Sequence, residues 1–352
     1  MHFGFGLITT QHHPDDRRTD VEIYREAVDL AVECERLGFE SVWTSEHHFV
    51  DDGYMPSQLP VLAAMAARTE RILLGTGVLL APLFDPLHLA EDAATVDLLS
   101  NGRLVLGLGI GWRDEEFAGF GYPGDHKGRR LEAMIEVLRQ AWSDGVVTGD
   151  HDGIYRYPEP GLNVTPKPAR PGGPPIFLGG GAEAAVRRVG RVADGYLSSG
   201  TPPERLAERL GWVREEALAA GRDPASLTPA VHRNVFAWRD GDAWETVRET
   251  AWYMAWKYED MRGARGSRRA GRAPKPSTEQ EAELRGRTIA GTPEEVADGI
   301  LAYRDVMGEN GHFVARSYFP GLDRARQWES LQLLGDVVRP LLGGGEAASA
   351  PA

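Results

Sequence analysis

Apolar residues along this chain follow two alternating patterns: short, nearly unbroken runs, and longer stretches with one apolar stripe. The first pattern predicts strands buried on both faces, the second amphipathic helices. Residues 3–9 read as a strand. Residues 21–37 read as a helix with apolar positions at Val21, Tyr24, Val28, Ala31 and Leu37, stopped by Gly38. A second strand covers 41–47, and Pro56-Ser57 opens a helix running to about 68. Strand 72–80 and helix 86–99 follow, ended by Asn101-Gly102. Strand 103–111 and helix 127–142 complete the first half.

The second half repeats the rhythm, with strands at 175–181, 194–200, 228–238 and 312–319. Their helices fall at 182–193, 202–220, 293–307 and 324–341. Two stretches interrupt it. Residues 145–174 are rich in Gly and Pro and predict a surface excursion. In 240–290 an aromatic helical part with Trp244, Trp252, Tyr253, Trp256 and Tyr258 precedes a basic part, 262–277, without acidic residues. That basic part reads as a mobile loop, either a solvated linker or a lid over the catalytic face.

Eight units in β-then-α order predict an α/β fold, a (β/α)8 TIM barrel, over a doubly wound sheet. Gly107-x-Gly109-x-Gly111 lacks the dinucleotide-binding spacing, which weakens the Rossmann alternative further. The expected organisation is one barrel domain over 1–341, with a disordered Gly/Ala tail at 342–352.

Composition narrows the function. The chain has 352 residues, 42% hydrophobic, with no run near the roughly 20 apolar residues that span a bilayer. A formal charge of −13 disfavours nucleic-acid binding. The single cysteine, Cys34, rules out an intramolecular disulfide; with no signal-peptide pattern, a cytoplasmic protein is expected. Lysine occurs only at Lys127, Lys167, Lys257 and Lys275, none ending a predicted strand, which disfavours Schiff-base chemistry on a barrel.

Active sites of barrels sit at the carboxyl ends of the strands. Glu46-His47-His48-Phe49 closes the second strand there, and histidine can carry a proton at neutral pH. Alternation places Glu46 and His48 on one face and His47 on the other, unless the strand has already ended. Adjacent histidines do not aim two imidazoles at one metal, so no metal site is expected. Gly179-Gly180-Gly181-Ala182, directly before a helix, suits a phosphate, because backbone N–H groups and the helix N-terminus converge there. Gly107, Gly109 and Gly111 strip one face of strand four, leaving room for a flat ligand or for close packing. Trp112 and Arg113 follow at its rim. Glu91, Asp92, Asp97 and Arg103 predict a structural ionic cluster.

Several segments carry a resemblance in order and spacing: Leu37–Trp43, Glu46–Phe49, Gly75-Thr76-Gly77-Val78, Leu99–Arg103, Gly107-x-Gly109, Pro175–Gly181, Ala193–Gly195 and Gly291–Val296. Over about residues 2–340 the chain resembles the bacterial luciferase-like flavin monooxygenases. The resemblance implies reduced FMN at the strand ends, its phosphate near Gly179, Gly180, Gly181 and Ala182 and the strand-four rim. The flavin ring would lie against Thr76, Gly77, Val78, Gly109, Gly111 and Trp112. It also implies a cis peptide at Gly77–Val78. His47 maps onto the working histidine, with His48 and Glu46 beside it. Luciferase itself carries a cysteine where this chain has Gly109, so light emission is not implied.

The expected function is thus a non-luminescent monooxygenase, supplied with FMNH2 by a separate flavin reductase, that uses O2 on a small organic substrate. A homodimer or related heterodimer is implied. An F420-dependent hydride-transfer enzyme is the alternative within the same superfamily. A non-catalytic barrel subunit of a heteromeric flavoenzyme is the alternative outside catalysis.

Overall fold

A computed structural model describes residues 1–263 and 271–343. Eight parallel strands close into a barrel, with helices packed outside. The first half contains β1 (His2–Ile8), α1 (Asp20–Arg36), β2 (Ser41–Thr44), α2 (Gln58–Ala66), β3 (Leu73–Thr76), β4 (Leu79–Leu80), α3 (Pro86–Ser100), β5 (Leu104–Gly109), α4 (Asp114–Phe120) and α5 (Lys127–Trp142). The hairpin β6 (Val147–His151) and β7 (Tyr155–Leu162) forms the first excursion. Then come β8 (Ile176–Gly179), α6 (Glu183–Val192), β9 (Gly195–Ser199), α7 (Pro203–Ala219) and β10 (Thr228–Ala237). The chain continues through α8 (Ala243–Gly263), α9 (Thr278–Gly286), β11 (Thr288–Gly291), α10 (Pro293–Met307), β12 (His312–Arg316) and α11 (Arg324–Leu333).

The closed ring runs β1, β2, β3, β5, β8, β9, β10, β12 and back to β1. Its interior layer contains Leu7, Trp43, Val105, Phe177, Leu197, Ala230 and Val314, with Leu73 against them. Large residues at this level fill the barrel, so ligands are left the mouth above it.

Four sequence expectations change. The buried face of α1 is Ile23, Ala27, Leu30, Ala31 and Cys34, and Val21 is 58% exposed. The apolar positions of that helix serve two adjacent stripes, and the barrel takes the one led by Ile23. Strand 72–80 is split by a cis peptide at Gly77–Val78, and Gly6–Leu7 is cis as well. The ionic cluster does not form: Glu91 and Asp92 face solvent, while Arg103 donates to Thr69 and to carbonyls of Ala66, Thr69, Ile72 and Ser100. A short helix, α4, and an extra parallel strand, β11, appear where loop was expected; β11 pairs with Asn234–Ala237. The predicted mobile loop at 262–277 falls partly, at 264–270, outside the described residues, as do 344–352 of the tail.

Two histidines are buried in the barrel wall. Burial, aided by Arg316 and Arg233, lowers the His232 pKa to about 3. Burial lowers that of His312 to about 3 too, and Ser41 Oγ lies 2.6 Å from its Nε2. Unfolded histidine titrates near 6.5. The unfolded chain therefore gains protons that the folded chain refuses, and stability falls as pH drops from about 6.5 toward 3. Each ring is expected to remove about 2 kcal/mol between pH 7 and pH 5. His312→Asn should flatten that loss in urea unfolding relative to the parent; an equal loss in both proteins would count against it.

Candidate active site

β2 ends at Thr44, so Glu46–His48 belong to the loop above it and strand alternation does not govern them. The loop is held at both ends: His47 N–H donates to Met55 O, and Met55 N–H to Thr9 O. Glu46 is turned into the wall, where it accepts from Leu80 N–H at 3.2 Å and Gln58 Nε2 at 3.2 Å. His48 Nε2 lies 3.1 Å from Glu46 Oε1. These two residues thus tie the second loop to the far side of the cis peptide and are bound up in support.

His47 is placed differently. Its Nδ1 lies 2.9 Å from Glu116 Oε1, which also accepts the His48 N–H at 3.1 Å. Burial pushes the Glu116 carboxyl up. The hydrogen bond and charge of His47, the His48 N–H and Arg113 outweigh this and hold it below the usual range. An ionised carboxylate only accepts, so the proton between them sits on Nδ1. Nε2 is the ring nitrogen left over, and it has no hydrogen-bond partner among the described residues. Three aromatic rings stand edge-on around the imidazole: Tyr54 at 4.9 Å, Trp112 at 5.5 Å and Tyr258 at 5.6 Å.

The roof comes from the second insertion. Tyr258 of α8 meets Tyr54, hydroxyl to hydroxyl, at 2.8 Å, and Tyr54 donates to Ser45 at 3.0 Å. Burial raises the Tyr54 pKa well above its usual value, so that hydroxyl stays protonated. Tyr253 reaches His12 O and Asp52, buried Lys257 pairs with Asp51 and Asp260, and Arg262 lies over Trp112. Helix α8 therefore crosses the mouth and touches the loops after β1, β2 and β5.

The glycine face of β5 is occupied by the protein itself. A Cβ on Gly107 would lie 1.9 Å from Thr76 O, and one on Gly109 2.5 Å from Val78 Cγ2. Gly111, at φ +68, faces Phe117. Gly107 and Gly109 make room for the bent third strand, with Thr76 Oγ1 donating to Gly107 O at 2.8 Å. Val78 lies between Gly109 and Gly179, whose Cβ positions it would meet. The close-packing alternative holds at Gly107 and Gly109.

Gly180, Gly181 and Ala182 lead into α6, and Gly181 and Ala182 are exposed. Ala182 supplies no side-chain cap, so the first N–H groups of the helix keep free donors. The Arg209 guanidinium comes within 3.1 Å of where a Gly181 Cβ would be, held by Thr201 and Ser198. A helix N-terminus, small residues and an arginine fit a phosphate. Among the described residues no group of three or more His, Cys, Asp or Glu is placed to hold a metal.

The family model described as luciferase-like monooxygenase matches residues 1–310. The chain belongs to the luciferase-like monooxygenase family. Among curated relatives, this family member is similar to two F420-dependent glucose-6-phosphate dehydrogenases. That of Microbacterium testaceum is 33% identical over 231 residues, 63% of this chain and 64% of that protein, so the chain spans less than two thirds of its length. That of Nakamurella multipartita is 31% identical over 330 residues, 90% of this chain and 92% of the relative. The oxygenase component of a flavin-dependent trigonelline monooxygenase from Acinetobacter baylyi is 30% identical over 177 residues, 49% of this chain and 48% of that one. Among solved structures, the monooxygenase RslO1 from Streptomyces bottropensis superposes with a TM-score of 0.79 at 25% identity, covering 97% of this chain and 99% of that chain.

Sequence reading missed Glu116, Tyr54, Arg209 and Arg316. Glu116 had a signal: the acidic run Asp114-Glu115-Glu116 opening a helix just past the strand-four rim. Tyr54 lies in the same loop as His47, and Arg209 and Arg316 come from distant elements that only folding brings together.

Proposed function

We propose that the chain is the oxygenase component of a two-component flavin monooxygenase, non-luminescent, taking FMNH2 from a separate reductase and using O2 on a small organic substrate. The observation that carries this reading is His47: Nδ1 fixed by an ionised carboxylate, Nε2 bare in an aromatic box beside the third-strand bend. Gly180, Gly181, Ala182 and Arg209 would hold the FMN phosphate, and Thr76, Gly77, Val78 and Trp112 would border its ring. Reduced FMN, when bound, supplies the electrons for O2 activation.

The protein's own work is positioning and proton handling. His47 Nε2 accepts a proton from a reacting oxygen or returns one, while Glu116 keeps the ring oriented and stabilises its charged form. Glu46 and His48 hold the loop so that the imidazole faces the mouth. Helix α8 covers the mouth and limits water there.

A second reading has support from one observation, the F420-dependent relative matched over 90% of this chain. Hydride transfer with F420 would use the same phosphate cradle and the same histidine. Anaerobic titration with FMNH2 and with reduced F420, followed by oxygen, separates the two. Binding of FMNH2 with substrate-dependent oxygen uptake is expected. Tight F420 binding without oxygen uptake would overturn the oxygenase reading.

A further inference from the structure

Arg316 ends β12 and points into the mouth, because Val314, two residues earlier on the same face, belongs to the barrel interior. Its Nε and Nη2 are buried and bond to nothing among the described residues, and it makes no ion pair there. Several other buried or half-buried arginines behave otherwise, whereas Arg130 and Arg339, which also bury an unbonded Nε, lie on helices outside the barrel. Arg103, Arg209, Arg222 and Arg233 donate to carbonyls or hydroxyls, and Arg113 meets Glu115 and Glu116. Guanidinium donors buried without an acceptor are costly, and the oxygens of a bound anion would satisfy them.

Its neighbours describe what that ligand meets. The guanidinium lies 5.4 Å from the centroid of the Tyr258 ring, which His47 approaches at 5.6 Å. One aromatic ring therefore spans the gap between guanidinium and imidazole. Asn234 is the register partner of Arg316 on β10, and His232 lies two residues before it on the same strand. His232 is neutral above about pH 3, so it offers no competing charge. In the barrel ring β12 stands opposite β5, away from the phosphate cradle on β8 and α6. A guanidinium presents a fork that suits two oxygens of one anion.

We propose that Arg316 anchors an anionic group of the substrate, a carboxylate or a sulfonate, and so turns the substrate's other end toward His47. The site selects short acids over neutral molecules of the same shape. Its place in a reaction rests on the function proposed above, but the anion preference is measurable without turnover.

The test is calorimetric titration of the FMN-loaded protein with straight-chain carboxylates and sulfonates of increasing length, each against its matched amide. At least one acid should bind about tenfold tighter than its amide, the scale of a charge-assisted hydrogen bond. In Arg316→Gln the preference should collapse to within about twofold, while Arg316→Lys, which keeps the charge and loses the fork, retains part of it. FMN affinity should be the same in Arg316→Gln and the parent, and near-UV circular dichroism should match. If no acid outbinds its amide in the parent, or the preference survives in Arg316→Gln, the anchor is refuted. A loss of FMN affinity in Arg316→Gln would assign the guanidinium to the cofactor and overturn the proposal. A parent that binds neither FMN nor F420, yet keeps the preference in the unloaded protein, breaks the oxygenase reading and leaves the anion site standing.

Discussion

His47→Ala is expected to lower turnover by about 100- to 10,000-fold while FMN affinity changes by no more than about twofold. The size follows from what is removed. Nε2 is a ring nitrogen in the mouth without a hydrogen-bond partner among the described residues, and Glu116 commits the other nitrogen. The proposed phosphate cradle at Gly180, Gly181, Ala182 and Arg209 is built by other elements, so binding and turnover should separate. Steady-state turnover beside equilibrium FMN titration reads both. Unchanged turnover would favour a supporting, non-catalytic barrel; loss of FMN binding in parallel would make His47 structural. Glu116 acts through His47, so its loss should mimic the same defect in weaker form.

The second large effect concerns folding. Gly107→Ala is expected to cost about 3 kcal/mol in stability, because the new methyl meets the Thr76 carbonyl, a backbone atom that has no rotamer to escape into. The damage should also reach the mouth. Thr76 bonds back to Gly107, and moving either displaces Gly77 and Val78. Gly124→Ala, where an added Cβ meets nothing within 4 Å, is the control, with an expected change within about 0.5 kcal/mol. Denaturant unfolding of the two variants settles it: equal midpoints would mean that β5 has slack the packing does not reveal.

Much of this protein is legible in its sequence, and the failures have physical causes. The barrel strands announce themselves because strands buried on both faces are continuously apolar. The cis bond at Gly77–Val78 is expected from family resemblance, not from periodicity. Periodicity failed at Glu46–His48 because β2 stops at Thr44, and side chains in a loop have no alternating faces. The β5 glycines were ambiguous because an absent side chain leaves room without naming its occupant; the occupants are Thr76 and Val78. Glu116, Tyr258 and Arg316 lie far apart in the chain, and local pattern carries no information about which distant residues meet. The pairing of buried Lys257 with Asp51 depends on the path of α8, which local pattern does not encode.

Helix α8 also divides labour in a way that bears on how such enzymes diversify. It is inserted after β10, yet its Tyr258 neighbours both the imidazole and Arg316. Residues on the barrel strands are constrained by one another, as Gly107 and Thr76 illustrate. Helix α8 is held by its apolar cluster with Phe236 and Phe319 and by Tyr253 and Lys257, and its half-buried and exposed positions are less constrained. Sequence drift in those positions can therefore reshape what enters while the proposed proton-handling pair below stays intact. Recombination of this segment between relatives offers a route to new substrate choice on an unchanged catalytic floor.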